Sequence, residues 1–312
     1  MKYTFCIITF LAIASTSCSQ NNSKPLNKEK IKQDWQNMYK LVKTYDQNPR
    51  VILDFSAYHC TYQILINDVP ALTNTEEGDI NGSVFPVSDL ILKSGPQSIT
   101  IRLYPAMKGD YQSEPSLTDK SKMSIKVKIG DYSKQYPEDF KTLYTLETPD
   151  IKQTNLPYAE YKGSFEAEVP YSLKGWSDGV LLQKEDQQKL LKETLTVFEQ
   201  YRKANETHDV YTIADMLYKR QVENSQAFFI STKEKNDTFW PKLEESKEII
   251  SMYPIEKYKM AFFGNGHIVA LVRTDNEFRG KSVIIGETKD LVSVLPIYLY
   301  RPGTGAPLEI IR

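Results

Sequence analysis

The stretch "KMSIKVKI", residues 122–129, decides the fold. Met123, Ile125, Val127 and Ile129 fall on one side of an extended chain, and Ser124, Lys126 and Lys128 on the other. Successive side chains of a strand point to opposite faces, so this pattern asks for a core on one side and water on the other. The same period of two recurs on both sides of it. Val51, Leu53 and Phe55 alternate with Ile52, Asp54 and Ser56, and Cys60, Tyr62, Ile64 and Ile66 repeat the pattern. Ile99, Ile101 and Leu103 alternate with Thr100, Arg102 and Tyr104, and Phe165, Ala167, Val169 and Tyr171 close the series. Asn67-Asp68 stands between two apolar runs as a hairpin turn does. Short strands separated by turns, with no helix between them, predict an all-β antiparallel sandwich of immunoglobulin-like pattern. Its expected extent is 34–171, including a leading helix read from Ile31, Trp35, Met38, Val42 and Tyr45, which are three and four residues apart.

The period then changes. "VPYSLKGWSDGV" carries Pro170, Gly175 and Gly179 and predicts a linker over 172–184. Trp176 within it reads either as a buried wedge between domains or as a platform for a ligand. From Glu185 onward the spacing is helical. Leu190, Leu191, Leu195, Phe198 and Tyr201 share one face, and Val210, Ile213, Met216, Leu217 and Tyr218 suggest a second helix with His208-Asp209 at its cap. Phe239, Trp240, Leu243, Ile249 and Ile250 suggest a third, ended by Pro254. Strands return in "YKMAFFGNGHIVALVR", turned at Gly264-Asn265-Gly266. Helices followed by an antiparallel sheet predict a second domain of α+β class over 185–312.

Composition narrows the function. Lys and Arg number 39 and Asp and Glu 40 in 312 residues, and no basic run interrupts that balance. Nucleic acid is therefore not the expected partner, since binding it requires a clustered positive charge. The chain carries no G-x-S-x-G elbow, phosphate loop or dinucleotide fingerprint. Its three histidines, His59, His208 and His267, are far apart in sequence, so no paired-histidine metal motif exists, and no cofactor is expected. Two local candidates for chemistry stand out. His267 follows a glycine turn at the start of a strand, where it is a candidate catalytic or ligand-binding group; the plain alternative is a solvent-facing histidine at a hairpin tip. The loop "TEEGDINGS", residues 75–83, concentrates Glu77, Asp79 and Asn81 as candidate oxygen ligands for calcium, against a solvated acidic turn as the plain alternative.

The N-terminus supplies an address. Lys2 precedes the apolar run Phe5 to Ala14, which is too short to span a bilayer, and the small residues Ser15, Thr16 and Ser17 lead into Cys18. This arrangement resembles the signal of bacterial lipoproteins. The resemblance implies a signal peptide over 1–17, lipid on Cys18, a flexible tether over 18–33 and a place in the cell envelope facing the periplasm. Ser15 stands where such signals usually carry leucine, and the alternative is an ordinary secretory signal cut near Ser17 or Ser19. Further on, "LTVFEQYRKANETHDVYTIADMLYKR", residues 195–220, resembles the opening of NTF2-like (SnoaL-like) domains, through Phe198, Tyr201, Asp209, Ile213 and Leu217. That resemblance implies two helices before a curved sheet, with a pocket in which His267 acts with an acid such as Asp275 or Glu287. The insertion "ISTKEKNDTFWPKLEE" departs from the pattern. The expected function is a non-enzymatic binding or accessory protein. It is anchored to the membrane through its lipid, and its partner is an envelope protein, as for an immunity or inhibitor protein, or a glycan. The alternative is a hydrolase or isomerase-like enzyme with its pocket in the C-terminal domain.

Overall fold

The computed structural model describes residues 25–132, 139–152 and 155–312; the leader and Cys18 lie outside the described residues. Among the described residues no helix is long and apolar enough to cross a membrane. Helix α1 (Lys28–Gln36) begins inside the stretch read as tether, at Lys28 rather than at the apolar Ile31. The reason is Asn27, whose side chain accepts the Lys30 backbone N–H at 3.0 Å and so satisfies one of the free donors of the first turn. The apolar stripe Ile31, Trp35 and Met38 is buried. It lies against a C-terminal helix rather than the strands that follow, and Trp35 Nε1 donates to Ala214 O at 3.1 Å.

Strands then follow one another: β1 (Pro49–Tyr58), β2 (Cys60–Ile66), β3 (Val69–Asn74), β4 (Ile80–Pro86), β5 (Gly95–Pro105), the short pair β6 (Met107–Lys108) and β7 (Gln112–Ser113), then β8 (Lys122–Asp131), β9 (Lys141–Glu147) and β10 (Ala159–Ala167). Among the described residues they make two four-stranded antiparallel sheets, ordered β4-β1-β8-β9 and β10-β5-β2-β3. In β8, Met123, Ile125 and Val127 are buried while Lys126 is exposed, as the alternation requires. The rings of Phe55 on β1 and Tyr62 on β2 meet edge to face at 5.7 Å, which joins the inner faces of the two sheets. Asn67 and Asp68 both adopt positive φ, 51° and 60°, so the β2–β3 turn has the twist that suits a tight hairpin.

The C-terminal part contains α2 (Gln187–Glu206), α3 (Val210–Ala227), α4 (Lys233–Asn236) and α5 (Phe239–Glu244), then β11 (Ser251–Met252), β12 (Tyr258–Phe263), β13 (Ile268–Arg273), β14 (Ile285–Glu287), β15 (Val292–Val294), β16 (Leu299–Tyr300) and β17 (Glu309–Ile310). Asp186 caps α2 and Asp209 caps α3. The third helix expected over Phe239 to Ile250 is α5 followed by a 3-10 turn (Glu245–Glu248), and the short α4 precedes it. Thr232 caps α4, and Pro241, which has no N–H to give, stands in the first turn of α5. The strands form antiparallel sheets ordered β11-β14-β15 and β12-β13-β16-β17.

The two parts are closely joined. Every residue of β2 is buried, including Thr61, Gln63 and Leu65, which face away from the core shared with β1. The C-terminal strands cover that outer face. Gly264 N donates to Asp68 O at 2.9 Å, Asn265 N to Asp68 Oδ2 at 2.9 Å, and Thr75 Oγ1 to Glu277 O at 2.6 Å. Gly264 has φ of 57°, and a Cβ there would fall 2.6 Å from the Trp176 ring, so the turn closes over the indole only because the residue is glycine. On another side Arg312 Nε donates to Asp89 O at 3.0 Å and Nη1 to Glu223 Oε2 at 3.1 Å. One apolar cluster runs without a break from Val51 and Ile64 to Phe198, Leu271 and Ile311. The segment 172–184 is itself held down, with Leu173 N on Leu92 O and Val180 N on Arg301 O.

Candidate functional site

The outer faces of β2 and β5 carry the polar half of the alternation read in the sequence: Thr61 and Gln63 on one strand, Arg102 and Tyr104 on the other. Where β12, β13 and the segment after β13 lean over them, they enclose a cleft of about 290 Å³. Its floor is Thr61, Gln63, Arg102 and Tyr104, and its roof includes Lys259, Phe262, Arg273 and Arg279. The size is at the lower end of small-ligand sites. Among the described residues four cations line this cleft and no carboxylate does.

The cations differ in how they are held. Arg102 donates through Nε to Glu160 Oε2 at 2.9 Å and through Nη1 to Gln63 Oε1 at 3.0 Å. The hydrogen bond from the Tyr158 hydroxyl, joined by that from Arg102, holds the Glu160 carboxyl down at about 2. Arg273 forms a two-pronged pair with Asp275, its Nε 3.0 Å from Oδ1, and its Nη1 donates to Glu256 O at 3.3 Å. Arg279 has no carboxylate among the described residues. Its Nη2 donates to Thr61 Oγ1 at 3.2 Å, and its guanidinium lies 4.5 Å from the centre of the Tyr104 ring. Burial pulls its pKa down, with only Tyr104 acting against this. Tyr104 is braced in turn by Tyr158, their rings 5.3 Å apart. Lys259 stands exposed at the rim and has no ion pair among the described residues.

The residues singled out from the sequence lie elsewhere. His267 Nδ1 is 2.9 Å from Gly179 O, so that nitrogen carries the proton and donates to the carbonyl. The acids considered with it are engaged by other groups: Asp275 pairs with Arg273, and Glu287 accepts from Ser251 Oγ at 3.2 Å. Trp176 is 3% exposed, enclosed by Gly264 and by the Arg312 guanidinium 5.1 Å above its ring, and lines neither cavity described here. Of the acidic loop, Asp79 Oδ1 accepts the His59 backbone N–H at 2.8 Å and stabilises the positive φ of 48° there. Glu77 and Asp79 border a second hollow of about 310 Å³, where His59 Nε2 meets Glu114 Oε2 at 3.1 Å. Asn81 does not line it. Among the described residues no three His, Cys, Asp or Glu side chains gather to hold a metal ion. Burial pushes the Cys60 thiol up to about 12, which makes it an unreactive core residue.

Sequence reasoning placed Arg102 and Tyr104 on the polar side of a strand but did not mark them as functional, and it passed over Arg279 and Lys259. The available signal was an arginine and a tyrosine where a water-facing strand usually carries threonine and lysine. What the geometry defines is a β-rich protein with a basic cleft between two sheets. Comparison with known proteins finds no matching family model, no matching curated protein and no matching solved structure.

Proposed function

We propose that the chain is a non-enzymatic binding protein, tethered to an envelope membrane by lipid on Cys18, and that the cleft floored by β2 and β5 is its ligand site. The observation that carries this reading is a partly open cleft of mixed polar and apolar lining, formed by residues from both parts of the chain. None of the three histidines lines it, and neither does any carboxylate, so the side chains that usually serve as general bases do not face it. In this reading residues 34–171 act as an immunoglobulin-like sandwich and 185–312 as an α+β unit of NTF2-like ancestry that roofs the site. The buried positions Phe198, Tyr201, Ile213 and Leu217, with Asp209 at the cap, support that second assignment.

Two experiments test the reading. Replacing Cys18 with Ser is expected to move the protein from membrane to soluble fractions with its unfolding transition unchanged; continued attachment to the membrane overturns the anchor. For the cleft, methyl resonances of the chain lacking residues 1–17 are followed during titration with neutral and charged envelope glycans. Shifts confined to cleft residues, and absent in the Ala261→Trp plug variant, are expected. Identical shifts in the plugged protein overturn the site.

A further inference from the structure

Three arginines face one cleft and only two of them are neutralised. Arg102 has Glu160, and Arg273 has Asp275, with Glu256 and Glu277 close enough to reinforce it. The third, Arg279, is half-buried and gives one hydrogen bond, to a neutral hydroxyl. A guanidinium presents five N–H donors in a planar fork, so most of the capacity of Arg279 has no protein acceptor among the described residues. Taking an unpaired charge out of water is unfavourable. Contact with the Tyr104 face offsets part of that cost without satisfying the N–H donors. That contact also fixes the plane of the guanidinium, and Tyr158 fixes Tyr104, so the fork is oriented before any ligand arrives. Lys259, at the rim, adds a second positive charge at the mouth, with no ion pair among the described residues. The absence of any carboxylate in the lining lets these two charges act unopposed inside the hollow.

Resting on the binding reading above, we infer that the cleft takes a small ligand bearing an oxyanion, with the anionic group seated on the fork of Arg279 and drawn in by Lys259. The shared chemistry is a planar or tetrahedral oxyanion, supplied by a carboxylate, a sulfate or a phosphate. Arg102 and Arg273 shape the walls and already have their counter-ions. Tyr104 is a positioning residue, because the face that could stack on a ligand is occupied by Arg279.

The test uses the chain lacking residues 1–17 and a pair of probes that differ in one group, glucuronate and glucose, with inorganic sulfate and inorganic phosphate as further arms. Binding is read from shifts of cleft resonances. Glucuronate is expected to bind at least roughly tenfold more tightly than glucose, the scale of one charge-assisted pair. That preference should weaken as salt is raised, vanish in Arg279→Gln and survive in part in Arg279→Lys. Circular dichroism and the unfolding midpoint establish that the variants are folded, and Lys259→Gln, at an exposed site, gives an independent smaller loss. Preference for sulfate or phosphate over glucuronate assigns a tetrahedral anion; the reverse assigns a carboxylate. Equal binding of glucose and glucuronate overturns the oxyanion and leaves the cleft as a neutral-ligand site. Failure of every anion to shift the cleft resonances also overturns it, and the binding reading falls with it only if neutral glycans fail as well.

Discussion

Strands β8 and β2 both alternate apolar and polar residues but have different surroundings. Along β8 burial alternates, since one face meets the opposing sheet and the other meets water. Along β2 every residue is buried, because the face turned away from the core is covered by the C-terminal strands. The difference shows that the second part of the chain does more than follow the first: it turns a water-facing sheet surface into the floor of a cavity. Lys126 on β8 is solvated, whereas a polar side chain on the covered face of β2 or β5 must find a partner, and so Gln63, Arg102 and Thr61 are tied into hydrogen bonds.

The contrast can be broken most severely at Arg312. This side chain links Asp89 of the N-terminal part to Glu223 of α3 while lying over Trp176. Arg312→Ala leaves the Glu223 carboxylate without its buried counter-ion and is expected to destabilise the fold by about 3–5 kcal/mol in urea unfolding. A loss near zero would mean that the junction is held elsewhere. Next comes the roof itself. Leu65 lies on the outer side of β2 and is 0% exposed, so Leu65→Ala should cost about 2–5 kcal/mol. Lys126→Ala, on the water-facing side of β8, should stay within about 0.5 kcal/mol. Equal small effects at both positions would show that β2 is not covered in solution.

Two smaller effects sharpen the comparison. Asp186 accepts backbone N–H groups of Gln188 and Lys189 at the start of α2, the helix that packs on β13. Asp186→Ala is expected to lower stability by about 1 kcal/mol, measured by thermal unfolding. The smallest effect is at Glu160, beside the cleft. Its carboxyl is held at about 2 in the folded chain against an ordinary 4.5, so folding favours the ionised form. The resulting stabilisation is present above pH 4.5 and is lost as pH falls through about 2. Because the pair lies at the surface and is partly open to solvent, Glu160→Gln should cost less than about 1 kcal/mol at neutral pH. The gap between variant and parent should narrow as pH falls from 4.5 and close below pH 2; a gap that persists there would place its origin outside ionisation.

Much of this was legible along the chain. The alternation in 122–129 and around residues 51–66 and 99–104 marked strands, the Asn67-Asp68 pair marked a hairpin, and Asp209 marked a helix start. Each of these depends on neighbours within a few residues. Helix α1 was misplaced at its start because a single cap, Asn27, outweighed the apolar stripe, and the third helix keeps its start around Pro241 but tightens into a 3-10 turn at Glu245–Glu248 before Ile249. The cleft was half legible: Arg102 and Tyr104 were on the correct side of β5, but nothing local indicated that the side would be covered.

From sequence alone, then, come several of the long strands, the helices α2 and α3, their order and the side of those strands that faces a core, because periodicity and capping act over a few residues. Strand β4, which runs through the end of the loop read over 75–83, and β9 do not. Only the tertiary structure brings Arg279, from a loop after β13, to Thr61 and Tyr104 on the first sheets. That meeting depends on how two apolar surfaces distant in sequence pack together, and hydrophobic packing is non-directional. The pairing of charges has the same origin. Glu160 and Asp275 neutralise Arg102 and Arg273 through adjacent strands and a short turn, while Arg279 is left without an acid by the way the roof closes over the floor.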